Sequence, residues 1–267
     1  MDANVAGDLG GYGWVVAVAR PAIVVVLLLG LWRALGRAGM ERRSAIAVWL
    51  AVAIPLTLWL VAIWAAAVSG VFQVRPGVIP RIPIAVVVPL VIGLITVTRS
   101  RRIAAAVDAV PASWLVGIQV YRVLGGTFLL QWLHGALPGA FAVPAGTGDM
   151  LVGLLALPVA VYAASGRRGS TAVAVAWNLL GIADLANALT LGFLSTPGPL
   201  QLLAHDHPNV LVGVYPTAMI PAFAVPLSLI LHGVSLWQLR RRSRSRAEAG
   251  GVAPGLGHGV HAGAQAV

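Results

Sequence analysis

The chain contains no cysteine and no lysine among its 267 residues. Without cysteine there are no disulfides, no thiolate metal sites, no catalytic thiols and no cysteine-held iron–sulfur clusters. Without lysine there is no Schiff base, either to a chromophore or as a nucleophile. Charge of either sign is sparse. Charged residues make up 10% of the chain, against about 25% in an ordinary soluble domain. Hydrophobic residues make up 59%, so a soluble fold of this size would have too few charges to keep its surface wet. Enzyme signatures are missing too: no Walker loop, GxGxxG, GxSxG or helical HExxH occurs. These shortages exclude a soluble globular protein and leave an all-α, polytopic integral membrane protein as the expected fold class.

What the chain does have is apolar runs of about 20 residues, the length that crosses roughly 30 Å of hydrocarbon. Seven are expected, at 14–32, 45–69, 82–98, 114–134, 148–165, 171–193 and 209–238. They are apolar on every face, unlike the alternating strands of a membrane barrel. Residues 1–13 form a short tail before the first span, 14–240 the transmembrane domain, and 241–267 a basic, then Gly/Ala-rich tail expected to be disordered. Asp2 and Asp8, with no base before the first span, do not fit the basic n-region of a cleavable signal. Trp14, Trp32, Trp114, Trp132 and Trp237 stand at span ends, where amphipathic rings sit among headgroups.

The net charge of +10 on its own would suggest an acidic partner. The positions of the arginines say otherwise. Four lie in 33–43, three in 99–113, two in 166–170 and five in the tail, all on one side of a seven-span chain. Only Arg75 and Arg81 fall on the other side. Basic residues collect in cytoplasmic loops, so this asymmetry predicts an N-terminus outside and a C-terminus in the cytoplasm of a bacterial-type inner membrane. It also removes the case for nucleic acid. The expected partners are the bilayer and a small solute or ion. Residues 103–113 are too short to span and suit an interfacial helix.

Two arginines and two aspartates remain inside the spans: Arg20, Arg122, Asp149 and Asp184. Each unpaired charge near a helix centre costs roughly 2.5–3.5 kcal/mol. Pairing of two Arg with two Asp is therefore expected. Depth favours Asp184 with Arg20 or Arg122, and Asp149 with Arg20 or the outer water. Gln119 lies three residues before Arg122, and Asn187 three after Asp184, so each is placed on its neighbour's face. Gly126, four after Arg122, marks a close helix approach. These six polar residues are the candidate solute, proton or ion path, because intramembrane ionisable groups are functional candidates by default. The competing readings are a non-catalytic scaffold or complex subunit, where polar groups only lock helices, and an intramembrane metal-dependent enzyme.

The metal reading places a divalent ion on the outer side among His134, Asp149, His205 and His207, with Asp206 nearby, although no strong spacing motif supports it. No other cofactor is expected; His134 and His232 sit too far apart in depth to share one metal, and a haem between them has little to support it. The stretch Leu137 to Asp149 is rich in Gly and Pro. It is expected to be a linker in which Thr147 caps the fifth span and Asp149 sits in its first turn, or a re-entrant loop.

Overall fold

The computed structural model describes residues 10–74 and 78–251. It is all helix, with no strand among the described residues. The elements are α1 (Gly10–Arg37), α2 (Arg42–Val68), α3 (Ile82–Arg99), the short α4 (Arg101–Ala109), α5 (Ala112–Leu133), α6 (Gly139–Ala164), α7 (Ser170–Ser195) and α8 (Val225–Gly251). A π-helical turn, Ile220–Ala224, leads into α8. Seven of these helices are long and apolar enough to cross a membrane. Large apolar side chains such as Leu58, Ile84, Leu154 and Val161 stand exposed on their outer faces, as they do where the solvent is lipid.

α8 is the most buried of the spans and α3 the least. α8 packs against α3, α7 and the start of α5, while α6 packs along α5 and α7. Buried apolar side chains gather around α8, with Met219, Phe223, Leu227, Leu231 and Val234 meeting Ile23, Leu27, Leu60 and Leu115. A second group joins Phe128, Phe141, Leu185 and Ile220 near the other faces of α6 and α7.

Several boundaries differ from the sequence expectation, and the start of α6 matters most for the site. α6 begins at Gly139 rather than 148, so the Gly/Pro-rich stretch is neither a linker nor a re-entrant loop. Thr147 does not cap a terminus; its hydroxyl donates to the Val143 carbonyl at 2.7 Å, one turn back in mid-helix. In lipid a backbone must satisfy its own hydrogen bonds, and this constraint outweighs the low helix propensity of Gly, Pro and Thr. The seventh span runs over Ile220–Ser245 rather than 209–238. Residues before it form turns and a single 3₁₀ turn, Leu211–Gly213, so Pro216 precedes the helix and Pro221 lies in the π-helical turn. The tail expected to be disordered from 241 begins as helix, since α8 runs to Gly251; residues 252–267 lie outside the described residues. Likewise the helix at the other end starts at Gly10, inside the expected tail, and residues 1–9 lie outside the described residues.

The segment expected to form an interfacial helix, 103–113, contributes residues 103–109 to the short helix α4, Arg101–Ala109. Ser100 caps it by accepting from the Ile103 amide at 3.3 Å, and Ile103, Ala104 and Ala106 bury its apolar face. Its C-terminal carbonyls are held by α8. The Gln238 amide donates to Val107 O at 2.5 Å and Val110 O at 2.7 Å, and Arg242 donates to Asp108 O and Val110 O, each at 3.1 Å. Arg241 pairs with Asp108 at 2.8 Å while lying 4.7 Å over the Trp237 ring. Gln238 is fully buried and the Arg241 pair is exposed. Gln238→Ala should therefore lower unfolding stability by about 2 kcal/mol, and Arg241→Ala by less than about 1 kcal/mol, in reversible denaturation of the purified protein in micelles.

Candidate functional site

The middle third of α5 is not α-helical. Residues Ile118–Gly126 wind as a 3₁₀ helix, long for a form that seldom exceeds three or four residues. Three residues per turn stack every third side chain on one face. The residues buried in this segment are Gln119, Arg122 and Gly125, at that spacing. Val116 before it and Phe128 and Gln131 after it are buried too and extend the stripe. In an α-helix each step of three would drift about 60° off the face.

Arg122 is 3% exposed and stands at the centre of this stripe. Its Nε donates to Asp149 Oδ1 at 2.7 Å, and Nη2 lies 2.6 Å from the same oxygen. Nη2 also donates to Asp184 Oδ2 in a short, direct contact. Nη1 donates to the Gly181 carbonyl at 3.3 Å and to His232 Nε2 at 3.0 Å. One guanidinium thus ties α6, α7 and α8 to α5. Both aspartates share Arg122, which the expectation of one arginine for each aspartate did not include.

Because the guanidinium only donates, His232 Nε2 must accept. The proton of His232 then sits on Nδ1, which donates to Asn178 Oδ1 at 2.9 Å. Asn178 Nδ2 donates in turn to Ala174 O at 2.8 Å and Ser235 Oγ at 3.0 Å, which fixes the amide orientation. The hydrogen bonds therefore assign His232 as the neutral Nδ1–H tautomer. The Trp177 ring lies 5.1 Å from the imidazole. Gln119 Nε2 donates to Ser228 O at 3.3 Å, and Tyr121 and Ser228 hydroxyls meet at 2.5 Å. Arg20, 3% exposed, borders the same small void as Tyr121, Arg122, Asp149 and Ser228.

The longer α6 changes the depth of Asp149. It lies about 15 Å in from Gly139, and Asp184 about 16 Å in from Ser195, at 1.5 Å per residue. Arg122 and His232 are likewise near the middle of their spans. The site is a node at mid-bundle, with no member at either end of its helix.

Glycines make room for it. A Cβ on Gly125 would overlap Asp149, one on Gly148 would overlap Asp184, and one on Gly181 would overlap His232. A Cβ on Gly153 would lie 2.5 Å from the Val123 amide nitrogen, so α5 and α6 touch backbone to backbone. The close approach on the Arg122 face is made at Gly125. Gly126, the expected position, instead faces Met150.

Asp149 also borders a chamber of about 390 Å³. Its walls are apolar, including Val86, Phe128, Phe141, Phe193 and Ile220. Of the residues expected on the path, the structure brings together Arg122, Asp149 and Asp184, sets Gln119 beside them on Ser228, and places Arg20 at the bordering void. Asn187 does not join them; it is exposed on the outside of α7. Asn178 and His232 take that place, and neither was among the expected path residues. The signal for them is in α8: Ser228, His232, Ser235 and Gln238 recur at helical spacing and are all buried, an internal polar stripe on an apolar span.

The outer metal reading is not met. His134 is exposed and its Nδ1 bonds Leu130 O at 2.7 Å; His205 and His207 are exposed; Asp149 is buried against Arg122. Among the described residues no three His, Asp or Glu side chains come together as a metal site.

Fold and site together define a seven-helix bundle of membrane-spanning character organised around a buried Arg–Asp–Asp–His node. The chain belongs to the family of DUF8737, a domain of unknown function, whose model matches residues 79–240. The match runs from α3 to residue 240 within α8 and so includes every side chain of the node. No curated protein and no solved structure matches the chain.

The glycine contacts give a direct check. Gly148→Ala should lower stability by about 1–3 kcal/mol, as overpacking does. Gly36→Ala, at an exposed helical position with open space around it, should be neutral or slightly stabilising. Thermal unfolding of the two variants in the same micelles reads the difference. Equal melting points for both would mean that Asp184 does not sit against α6 as described.

Proposed function

We propose that this bundle binds and passes a small solute, with a proton or small cation the best-fitting kind, through the node formed by Arg122, Asp149, Asp184 and His232. It does so in a bacterial-type inner membrane, with the N-terminus outside and the C-terminus in the cytoplasm; the arginine asymmetry across the spans supports this orientation. The observation that carries the reading is that one mid-bundle guanidinium serves two carboxylates. Two carboxylates gathered on one mid-bundle guanidinium are groups that can take up and release a proton or small cation. The chamber beside Asp149 brings that place within reach of a solute.

Each member has a distinct part. Arg122 holds both carboxylates and is itself held by Gly181 O and His232. Asp149 faces the chamber, and both carboxylates are nearly enclosed, their side chains 10% and 9% exposed. His232 presents its lone pair to Arg122 and relays its proton side to Asn178. A lysine in place of Arg122 would bring three donors from a single nitrogen and could not span these four partners.

A second reading, a non-catalytic scaffold, is favoured by how completely the Arg122 donors are engaged. The two separate in proteoliposomes loaded with a pH-sensitive dye under an imposed potassium-diffusion potential. Transport predicts proton flux above protein-free vesicles, lost in Asp184→Asn while the melting temperature stays within a few degrees. Arg122→Lys should lose flux and also about 3–5 kcal/mol of stability, because it leaves a carboxylate without its partner. Wild-type vesicles no leakier than protein-free ones to protons, sodium and potassium would rule out the proton and cation form and leave the scaffold.

A further inference from the structure

The chamber beside Asp149 has a chemistry of its own. Its lining comes from Pro80 and the start of α3, from Phe128 of α5, Phe141 and Asp149 of α6, the last turns of α7, and the segment Val212 to Val225. Almost all of it is aliphatic or aromatic. Two lining hydroxyls are already used by their own backbone: Thr190 donates to Ala186 O at 2.8 Å and Thr196 to Gly192 O at 2.6 Å. Asp149 is the one charged side chain among the lining residues. Arg122 lines the neighbouring small void and not the chamber, so it stands behind the carboxylate.

The chamber also reaches the outside of the bundle. Val87 of α3 and Thr190 of α7 both line it, and both are exposed. α3 packs on α8, α4 and the π-helical turn, whereas α7 packs on α6 and α8. The space lies between α3 and α7, on the faces where the other spans present apolar side chains to lipid. An occupant can therefore arrive sideways from the bilayer as well as from water.

A cavity of this size takes a compact small molecule. Its walls favour an apolar body. A single buried carboxylate, with aromatic rings at Phe128, Phe141 and Phe193 nearby, favours one cationic group. An anion would face Asp149 without a chamber-lining base to meet it, and a purely apolar occupant would leave the carboxylate desolvated against it. We propose that the chamber binds a lipophilic monocation, an ammonium-type head on a compact apolar body, with Asp149 as its counter-charge. The proposal rests on the reading of the node as a working site, and gives that site a substrate class.

The test is equilibrium binding to the full chain in nanodiscs, with empty nanodiscs subtracted. The probes are benzyltriethylammonium, benzenesulfonate and a neutral alkylbenzene of similar size. Saturable binding is expected for the cation alone. Asp149→Asn should weaken it at least about tenfold, the loss of one charge-assisted contact. Ala188→Phe, which places a ring in the chamber without touching the Arg122 contacts, should block it while the protein melts as wild type. Equal binding of cation and alkylbenzene, or cation binding unchanged in Ala188→Phe, overturns the proposal even if Asp149→Asn does not fold. Proton flux in the proteoliposomes without cation binding overturns it and leaves the transport reading standing. Cation binding without any ion flux supports it and removes that transport reading.

Discussion

A guanidinium and two carboxylates at mid-bundle set the terms for everything packed around them. Alone, each charge would cost several kcal/mol in a bundle whose total stability is of that order. Brought together, they require α5, α6, α7 and α8 to present the right atoms within hydrogen-bond reach of one side chain. The other particulars follow from that demand. α5, α6 and α7 carry glycine where the acids and the imidazole need space. α8 carries an internal polar stripe and is the most buried span. The 3₁₀ winding of α5 holds Gln119, Arg122 and Gly125 on one face.

The rest of the bundle is ordinary by comparison. α1, α2 and α3 contribute mainly apolar surface, with Arg20 of α1 bordering the void at the node. They lean on α8 through Leu27, Leu60 and their neighbours. The family match begins at residue 79, just before α3. It takes in α3, which closes one wall of the chamber, along with all four helices of the node. Residues that hold the site and residues that enclose it thus fall in one continuous part of the chain.

Much of the fold was legible because lipid imposes a length and a polarity on each span. The seven runs were found to within a few residues at α2, α3, α5 and α7. The misses had physical causes. Leu137 to Asp149 reads as a linker only if helix propensity is judged as in water; in hydrocarbon a broken backbone is costlier than a glycine in a helix. That error put Asp149 at the outer edge and made a metal site with His134 conceivable. Arg122, Asp149 and Asp184 were found because charge in a span is rare. His232 and Asn178 were missed because neutral polar residues stand out less, and Asn187 was favoured on a spacing argument that ignored which face of α7 turns inward. Gly126 was favoured over Gly125 because four-residue spacing assumes an α-helix where the chain winds as 3₁₀. Neither the long 3₁₀ segment nor the sharing of one arginine by two acids has a sequence signal.

That 3₁₀ segment gives α5 the character of a turnbuckle. Its nine residues rise about 2.0 Å each, against 1.5 Å in an α-helix. Rewinding them would shorten the span by about 4.5 Å and swing Gln119 and Gly125 about 60° to either side of Arg122. The same turn would pull Gly125 away from Asp149 and let a side chain or a solute into the place the glycine keeps clear. Length, twist and access to the acids are thus coupled in one short stretch of backbone.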